Sequence, residues 1–231
     1  MTQQSTVVVI GCGSVFETIA STWPHLSSPM VDLKLIRLDS TDGVSAVANE
    51  RLPLFDPLKT LVFAAIDQNA MNYARLELYG RARILGFKSR SLIHPGAIIA
   101  ADSKIGENCW IGAGAVVSSG VSIGNNTFIG AQARLDYGVN IAPNCWIGPG
   151  STAGNGTIIG QHGVIGADVR LAAGLTIGRH CSIDKPGAYL QSLGDGTFID
   201  ALFPSAVRIF TGKSSSKTII KPEEKLNEAT R

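Results

Sequence analysis

The sequence predicts a Rossmann-like α/β unit followed by an all-β parallel β-helix, and three observations carry that reading. An aliphatic residue recurs every six positions from Ile93 to Ile183. Glycine repeatedly follows it, as at Gly106, Gly112, Gly124, Gly130, Gly148 and Gly160. Before residue 88, short apolar runs alternate with glycine turns and helix-like stretches. The expected boundaries are 1–88 for the α/β unit, 89–190 for the β-helix, and 191–231 for capping strands and a mobile tail.

The six-residue step runs through Ile93, Ile99, Ile105, Ile111, Val117, Ile123, Ile129, Leu135, Ile141, Ile147, Ala153, Ile159, Ile165, Leu171, Ile177 and Ile183. A helix repeats at 3.6 residues and a strand at two, so neither produces a strict six. Three hexads per turn of a triangular prism do, with each aliphatic pointing inward and residues eighteen apart stacked vertically. Asn108, Asn126, Asn144, His162 and His180 then share one column. Asn and His tolerate positive φ, so the column reads as a left-handed corner, and a paired histidine site is the alternative. Cys109, Cys145 and Cys181 fall in the next column, two coils apart and too far to bridge, and read as small inward filler.

In the first unit, Val7 to Ile10 ends in Gly11-Cys12-Gly13-Ser14 and a helix-like stretch to about Ser21. Leu33 to Leu38 ends in Asp39, Leu61 to Ile66 is a further strand, and Asn69 to Leu85 reads as a helix before Gly86. Phe16 stands where a dinucleotide fingerprint has its third glycine, which argues against an NAD enzyme. Two readings of the glycine turn stay open: a helix N-terminus that takes an anion such as a phosphate, or a tight turn that only lets strand and helix pack.

After Ile183 the hexad fails, and Lys185-Pro186-Gly187 is expected to break the winding. Phe198 to Phe210 suits one or two strands over the open end, and the closing Lys-Pro-Glu-Glu-Lys run is expected to be mobile. A net charge of +2 with 16% charged residues gives nucleic-acid binding no electrostatic support. Four cysteines without Cys-x-x-Cys spacing offer no metal site. No signal peptide and no membrane-length apolar run is evident, so a cytoplasmic protein without membrane insertion is the expectation.

The glycine half-domain, the linker Gly86-Phe87 to Ile93-His94-Pro95, the Ile-Gly-x-Asn hexads and the step Ala153-Gly154-Asn155 resemble one family. It comprises the hexapeptide-repeat sugar acyltransferases related to sialic-acid O-acetyltransferase and bacillosamine N-acetyltransferase. The resemblance implies a left-handed β-helix, a homotrimer, and acetyl-CoA as acyl donor in the cleft between prisms. It also implies a nucleotide-linked sugar at Gly11, Cys12, Gly13, Ser14 and Asp39, for surface polysaccharide or glycan synthesis. The family's catalytic histidine falls at Tyr137, preceded by the acidic Asp136, so the histidine itself is missing. The donor is expected against Gly154, Asn155, Gly156 and Ala173, with Lys185 near the CoA phosphates.

Eighteen residues separate Tyr137 from Asn155, which stacks them on one edge, with an amide in Gly154 to Gly156 facing the thioester carbonyl. A tyrosine with a reference pKa of about 10 is a poor general base. Asp136 and Tyr137 are therefore either catalytic or a wet polar corner, and a non-catalytic trimeric scaffold is the second function class. Trp110, Trp146, Val116 and Phe128 are expected to be exposed on prism faces and to meet other copies.

Overall fold

A step of six residues visits three parallel sheets in turn, and the computed structural model, which describes residues 5–26, 31–68, 70–203 and 205–208, winds them into a left-handed β-helix. Ile105, Ile123, Ile141, Ile159 and Ile177 are vertical neighbours in one sheet. Ile111, Ile129, Ile147, Ile165 and Ile183 stack in the second. Val117, Leu135, Ala153 and Leu171 stack in the third. These side chains meet in one buried core, filled at the corners by Ala115, Val121, Ala133, Val139 and the three column cysteines. Burial pushes the Cys145 thiol up to about 12, so it is inert filler.

The winding does not stop at Lys185. Gly187–Tyr189 pairs with Val169–Leu171, and Ile199 lies over Ile183 sixteen residues on instead of eighteen. Tyr189 keeps the six-residue step and Leu193, bridging Ile177, comes four later. One further coil therefore forms with a corner two residues short, which hides it from a strict period. Val207–Arg208 then pairs antiparallel to Thr197–Ile199 at the end of that stack. Phe210 and the Lys-Pro-Glu-Glu-Lys run lie outside the described residues.

The first unit holds β1 (Ser5–Cys12), α1 (Ser14–Leu26), β2 (Val31–Arg37), α2 (Val44–Arg51), β3 (Thr60–Ile66), α3 (Tyr73–Ile84) and β4 (Lys88–Ser89). Its sheet is parallel in the order β2-β1-β3-β4. Alternation along β1 fills both faces, as parallel sheets require. Val8 and Ile10 pack with Val44, Ala48, Leu78 and Ala82 of α2 and α3. Val7 and Val9 pack with Phe16 and Ile19 of α1, and this second core also takes in Trp110 and Phe128 of the prism. The short helix α2 was not anticipated; only Val44 and Ala48 of it are buried, too few to set a period. Helix α3 starts at Tyr73, because Met71 and Asn72 hold φ of +55° and +68°.

That shared core overturns one expectation. Trp110 and Phe128 are buried inside the chain, and Trp146 stacks on Phe128 at 3.8 Å between ring centres. A stripe of large apolar side chains on a prism face predicts a contact between copies, but the chain's own α/β unit covers it. Val116 lies on a different sheet and is half-buried. Among the described residues no helix is long and apolar enough to cross a membrane.

Candidate functional site

The carboxyl edge of the α/β sheet gathers the residues expected to hold a sugar nucleotide. Leu38 N donates to Gly11 O at 2.8 Å, which sets the exposed Asp39 beside the β1–α1 turn. A Cβ on Gly11 would overlap the Ala65 carbonyl, and Gly13, at φ +86°, backs onto Asp67. Asp67 then does what an outside anion was expected to do. Its carboxylate accepts from Ser14 N (2.7 Å), Ser14 Oγ (2.9 Å) and Val15 N (2.7 Å). Two of the free amides at the start of α1, those of Ser14 and Val15, are thus satisfied from within the chain. Close packing accounts for Gly11 and Gly13. Cys12 at the same turn is raised in pKa by burial and then by Asp67. No motif marked Asp67 in advance, since a single carboxylate after a strand has no distinctive spacing.

The second group sits on the prism corner between the sheet of Arg134–Leu135 and that of Asn140–Ile141. Here the structure brings Asp136, Tyr137, Gly154, Asn155, Gly156 and Ala173 together on successive coils. Asp136 N donates to Ala153 O (3.0 Å) and Gly156 N to Tyr137 O (2.9 Å). Gly154 N donates to Leu171 O (2.9 Å) and Gly174 N to Asn155 O (2.8 Å). Two of the three candidate amides, Gly154 and Gly156, are therefore consumed by the coil ladder. Asn155 N has no acceptor among the described residues, and it sits on the outside of the corner. Tyr137 is 65% exposed, and its ring lies across Gly120 on the coil beneath. Asp136 pairs with Arg134 at 3.1 Å.

One neighbour on this corner, Asp102, carried no signal in the sequence. Asp102 accepts from Ser119 Oγ (2.6 Å) and Gly120 N (3.0 Å), and the hydroxyl bond holds its carboxyl below the usual range. Lys185 is exposed and its carbonyl accepts from Tyr189 Oη at 2.8 Å. Arg170, in register with Thr152 and Ala188 on the adjoining sheet, is exposed and makes no ion pair among the described residues.

The two groups lie on opposite sides of the triangle. The α/β unit packs on the sheet of Trp110, Phe128 and Trp146, and the Tyr137 corner is the one edge that this sheet does not reach. The Asn-His column forms the joint instead. Asn108, Asn126, Asn144, His162 and His180 all hold φ between +54° and +62°, the left-handed corner that the column predicts. Ala64 lies beyond the short β4 on the edge of β3, and the Asn108 side chain serves it as a substitute strand: Ala64 N donates to Asn108 Oδ1 (2.8 Å) and Asn108 Nδ2 to Ala64 O (3.3 Å). Arg75 of α3 is buried and donates to Ile66 O (3.3 Å), Asn126 O and Cys145 O (both 3.1 Å). Burial lowers its pKa to about 10, which leaves the guanidinium charged at neutral pH.

Comparison with known proteins agrees with this architecture. The family model of the bacterial transferase hexapeptide (six repeats) matches residues 102–136. No curated protein sequence matches significantly. The acetyltransferase domain of PglB from Neisseria gonorrhoeae FA1090, in complex with acetyl coenzyme A, superposes with a TM-score of 0.71 at 22% identity, covering 89% of this chain and 100% of that one. PerB from Caulobacter crescentus, in complex with CoA and GDP-perosamine, gives 0.67 at 22% identity, covering 88% and 97%. WeeI from Acinetobacter baumannii AYE gives 0.53 at 14%, covering 88% and 100%. The chain is a hexapeptide-repeat protein with the fold of these acetyltransferases.

Proposed function

We propose that this hexapeptide-repeat chain moves an acetyl or similar acyl group from acyl-CoA to an amine or hydroxyl of a nucleotide-linked sugar. The observation that carries the reading is the outward Asn155 amide on the Tyr137 corner. An uncommitted N–H, held by a coil whose other amides are bonded, is a preorganised donor for the oxyanion that forms when a nucleophile attacks the thioester carbonyl. The sugar nitrogen or oxygen forms the new bond to carbon, the C–S bond breaks, and CoA leaves as thiolate. The nucleophile's proton goes to solvent or to that thiolate, with Tyr137 positioning the acceptor. Arg170 and Lys185 are the cations suited to CoA phosphates. The fit to both PglB with acetyl coenzyme A and PerB with CoA and GDP-perosamine supports the same donor and acceptor classes.

The opposite placement of the two groups supports assembly. A sugar held at Gly11 to Ser14 and Asp39 lies across the triangle from the Tyr137 corner of its own prism, and on this reading the corner comes from a second copy. A homotrimer satisfies this with closed symmetry, and light scattering near the 24.3 kDa monomer mass would contradict it.

Substituting Asn155→Pro tests the chemistry cleanly. Proline already occupies the matching corner position at Pro143 and Pro149, each before a residue of positive φ, as Asn155 precedes Gly156. It deletes the N–H together with the side-chain amide, and Asn155→Ala, which removes only the latter, is the control. We expect CoA release, measured against a panel of nucleotide-linked sugars with acetyl-CoA, to fall by about 100-fold or more. Unchanged turnover would remove the amide from the mechanism. The non-catalytic scaffold is favoured by one observation, the absent histidine at Tyr137, and it requires that acetyl-CoA show no saturable binding.

A further inference from the structure

We propose that His162 is a proton-sensitive latch between the two units: in its neutral form it ends a polarised rail of side-chain amides that ties the α/β unit to the prism, and protonation releases it. The sense of the rail follows from one backbone group. Ala64 N–H can only donate, so Asn108 Oδ1 must accept and Asn108 Nδ2 must donate. Nδ2 of Asn108 reaches Asn126 Oδ1 at 2.7 Å, and Nδ2 of Asn126 reaches Asn144 Oδ1 at 2.5 Å. Nδ2 of Asn144 then meets His162 Nδ1 at 2.7 Å, which has to present a lone pair. The tautomer is thereby assigned from the far end of the column, three coils down the chain's own stack.

The same Nδ1 lies 3.3 Å from Met71 O, which can only accept. A proton on Nδ1 therefore turns Asn144 from a donor partner into a donor facing a donor, and moves the bond to Met71. Met71 and Asn72 form the positive-φ turn that leads into α3, and Asn72 Nδ2 donates to Asn144 O at 3.0 Å. The rail, the turn and the start of α3 thus share one hydrogen-bond junction.

Its surroundings favour the neutral ring. From the coil above, His180 stacks on His162 at 4.7 Å, and beyond it Arg179 and Asp195 are paired with each other at 2.8 Å. From α3, Tyr73 stacks at 4.6 Å, its Oη 3.1 Å from His180 Nε2, and the charged Arg75 sits one coil down on Asn126 O and Cys145 O. From the coil beneath come Asn144 and the neutral Cys145 thiol. Burial, opposed by the Met71 carbonyl and reinforced by His180, holds His162 below the ordinary imidazole value. The folded chain then takes up its proton at lower pH than the unfolded chain, whose value is about 6.5. The stability it supports is complete above about 6.5 and is lost as pH falls toward the folded value.

The test is denaturant unfolding and amide hydrogen exchange on the full chain at pH 7.5 and 5.5. His162→Asn keeps the left-handed corner and an oxygen acceptor for Asn144, but cannot titrate. We expect exchange at the start of α3, corrected for intrinsic rates, to speed up at least tenfold at pH 5.5 in the unmodified chain and less than threefold in H162N. His180→Asn should keep the unmodified response. An equal pH response in H162N and the unmodified chain overturns the latch. So does an imidazole titration of the unmodified chain by NMR that places His162 at or above 6.5, a measurement that needs no variant.

Discussion

Two corners of the same prism differ in everything except backbone geometry. At both, successive coils turn through positive-φ residues, such as Asn126 and Asn144 or Gly138 and Gly156, whose amides donate to the coil beneath. The Asn108–His162 corner is covered by the α/β unit along its positive-φ column: Asn108, Asn126, Asn144 and His162 are buried and bonded to a neighbour, while Asn125, Pro143 and Gln161 beside them are exposed. Among the described residues nothing covers the Tyr137 corner, and Tyr137, Asn155 and Ala173 are exposed. The repeat makes corners interchangeable, so a polar residue becomes structural or available for chemistry according to what lies over it. Buried polar groups must find partners within the chain, whereas exposed ones keep an unused donor or acceptor for a ligand.

The contrast can be broken most severely at Arg75. Arg75→Ala strips donors from three buried carbonyls and should cost about 3–5 kcal/mol in denaturant unfolding. Arg75→Lys should recover only part of this, because one ammonium cannot span three acceptors. A loss below about 1 kcal/mol would mean that water enters the joint and the covered corner is not sealed.

A matched pair sharpens the comparison. Asn126→Ala interrupts the rail at a left-handed position and should destabilise by about 2 kcal/mol. Asn155→Ala, on the open corner, should change unfolding by less than about 0.5 kcal/mol. Equal effects would show that the two corners do not differ as described.

The smallest effect is at Tyr137. Tyr137→Phe should leave unfolding unaltered and reduce acyl transfer at least tenfold, or about 1.4 kcal/mol in transition-state terms. Full activity in Y137F would leave the ring, rather than the hydroxyl, as the useful part of the side chain.

The prism was legible residue by residue because its period is local and repeated. Ile105, Ile123, Ile141 and Ile159 announce one interior stack, and the positive φ at Asn108, Asn126 and Asn144 follows from the same register. Legibility failed where the period changed, as in the coil from Ile183 to Ile199 with its shortened corner. It failed again where partners are far apart in sequence. Asp67 reaches Ser14 across 53 residues and Arg75 reaches Cys145 across 70, and no spacing rule connects them.

The sequence by itself determined the coil, its inward aliphatics and its left-handed corners, because a six-residue pattern constrains each residue through neighbours eighteen apart. Only the tertiary structure decided that Trp110, Phe128 and Trp146 lie under the α/β unit, that Asp67 satisfies the start of α1, and that His162 is covered while Tyr137 is open. Those outcomes depend on which prism face the first unit packs against. That choice rests on the summed fit of two apolar surfaces, and no single motif encodes it.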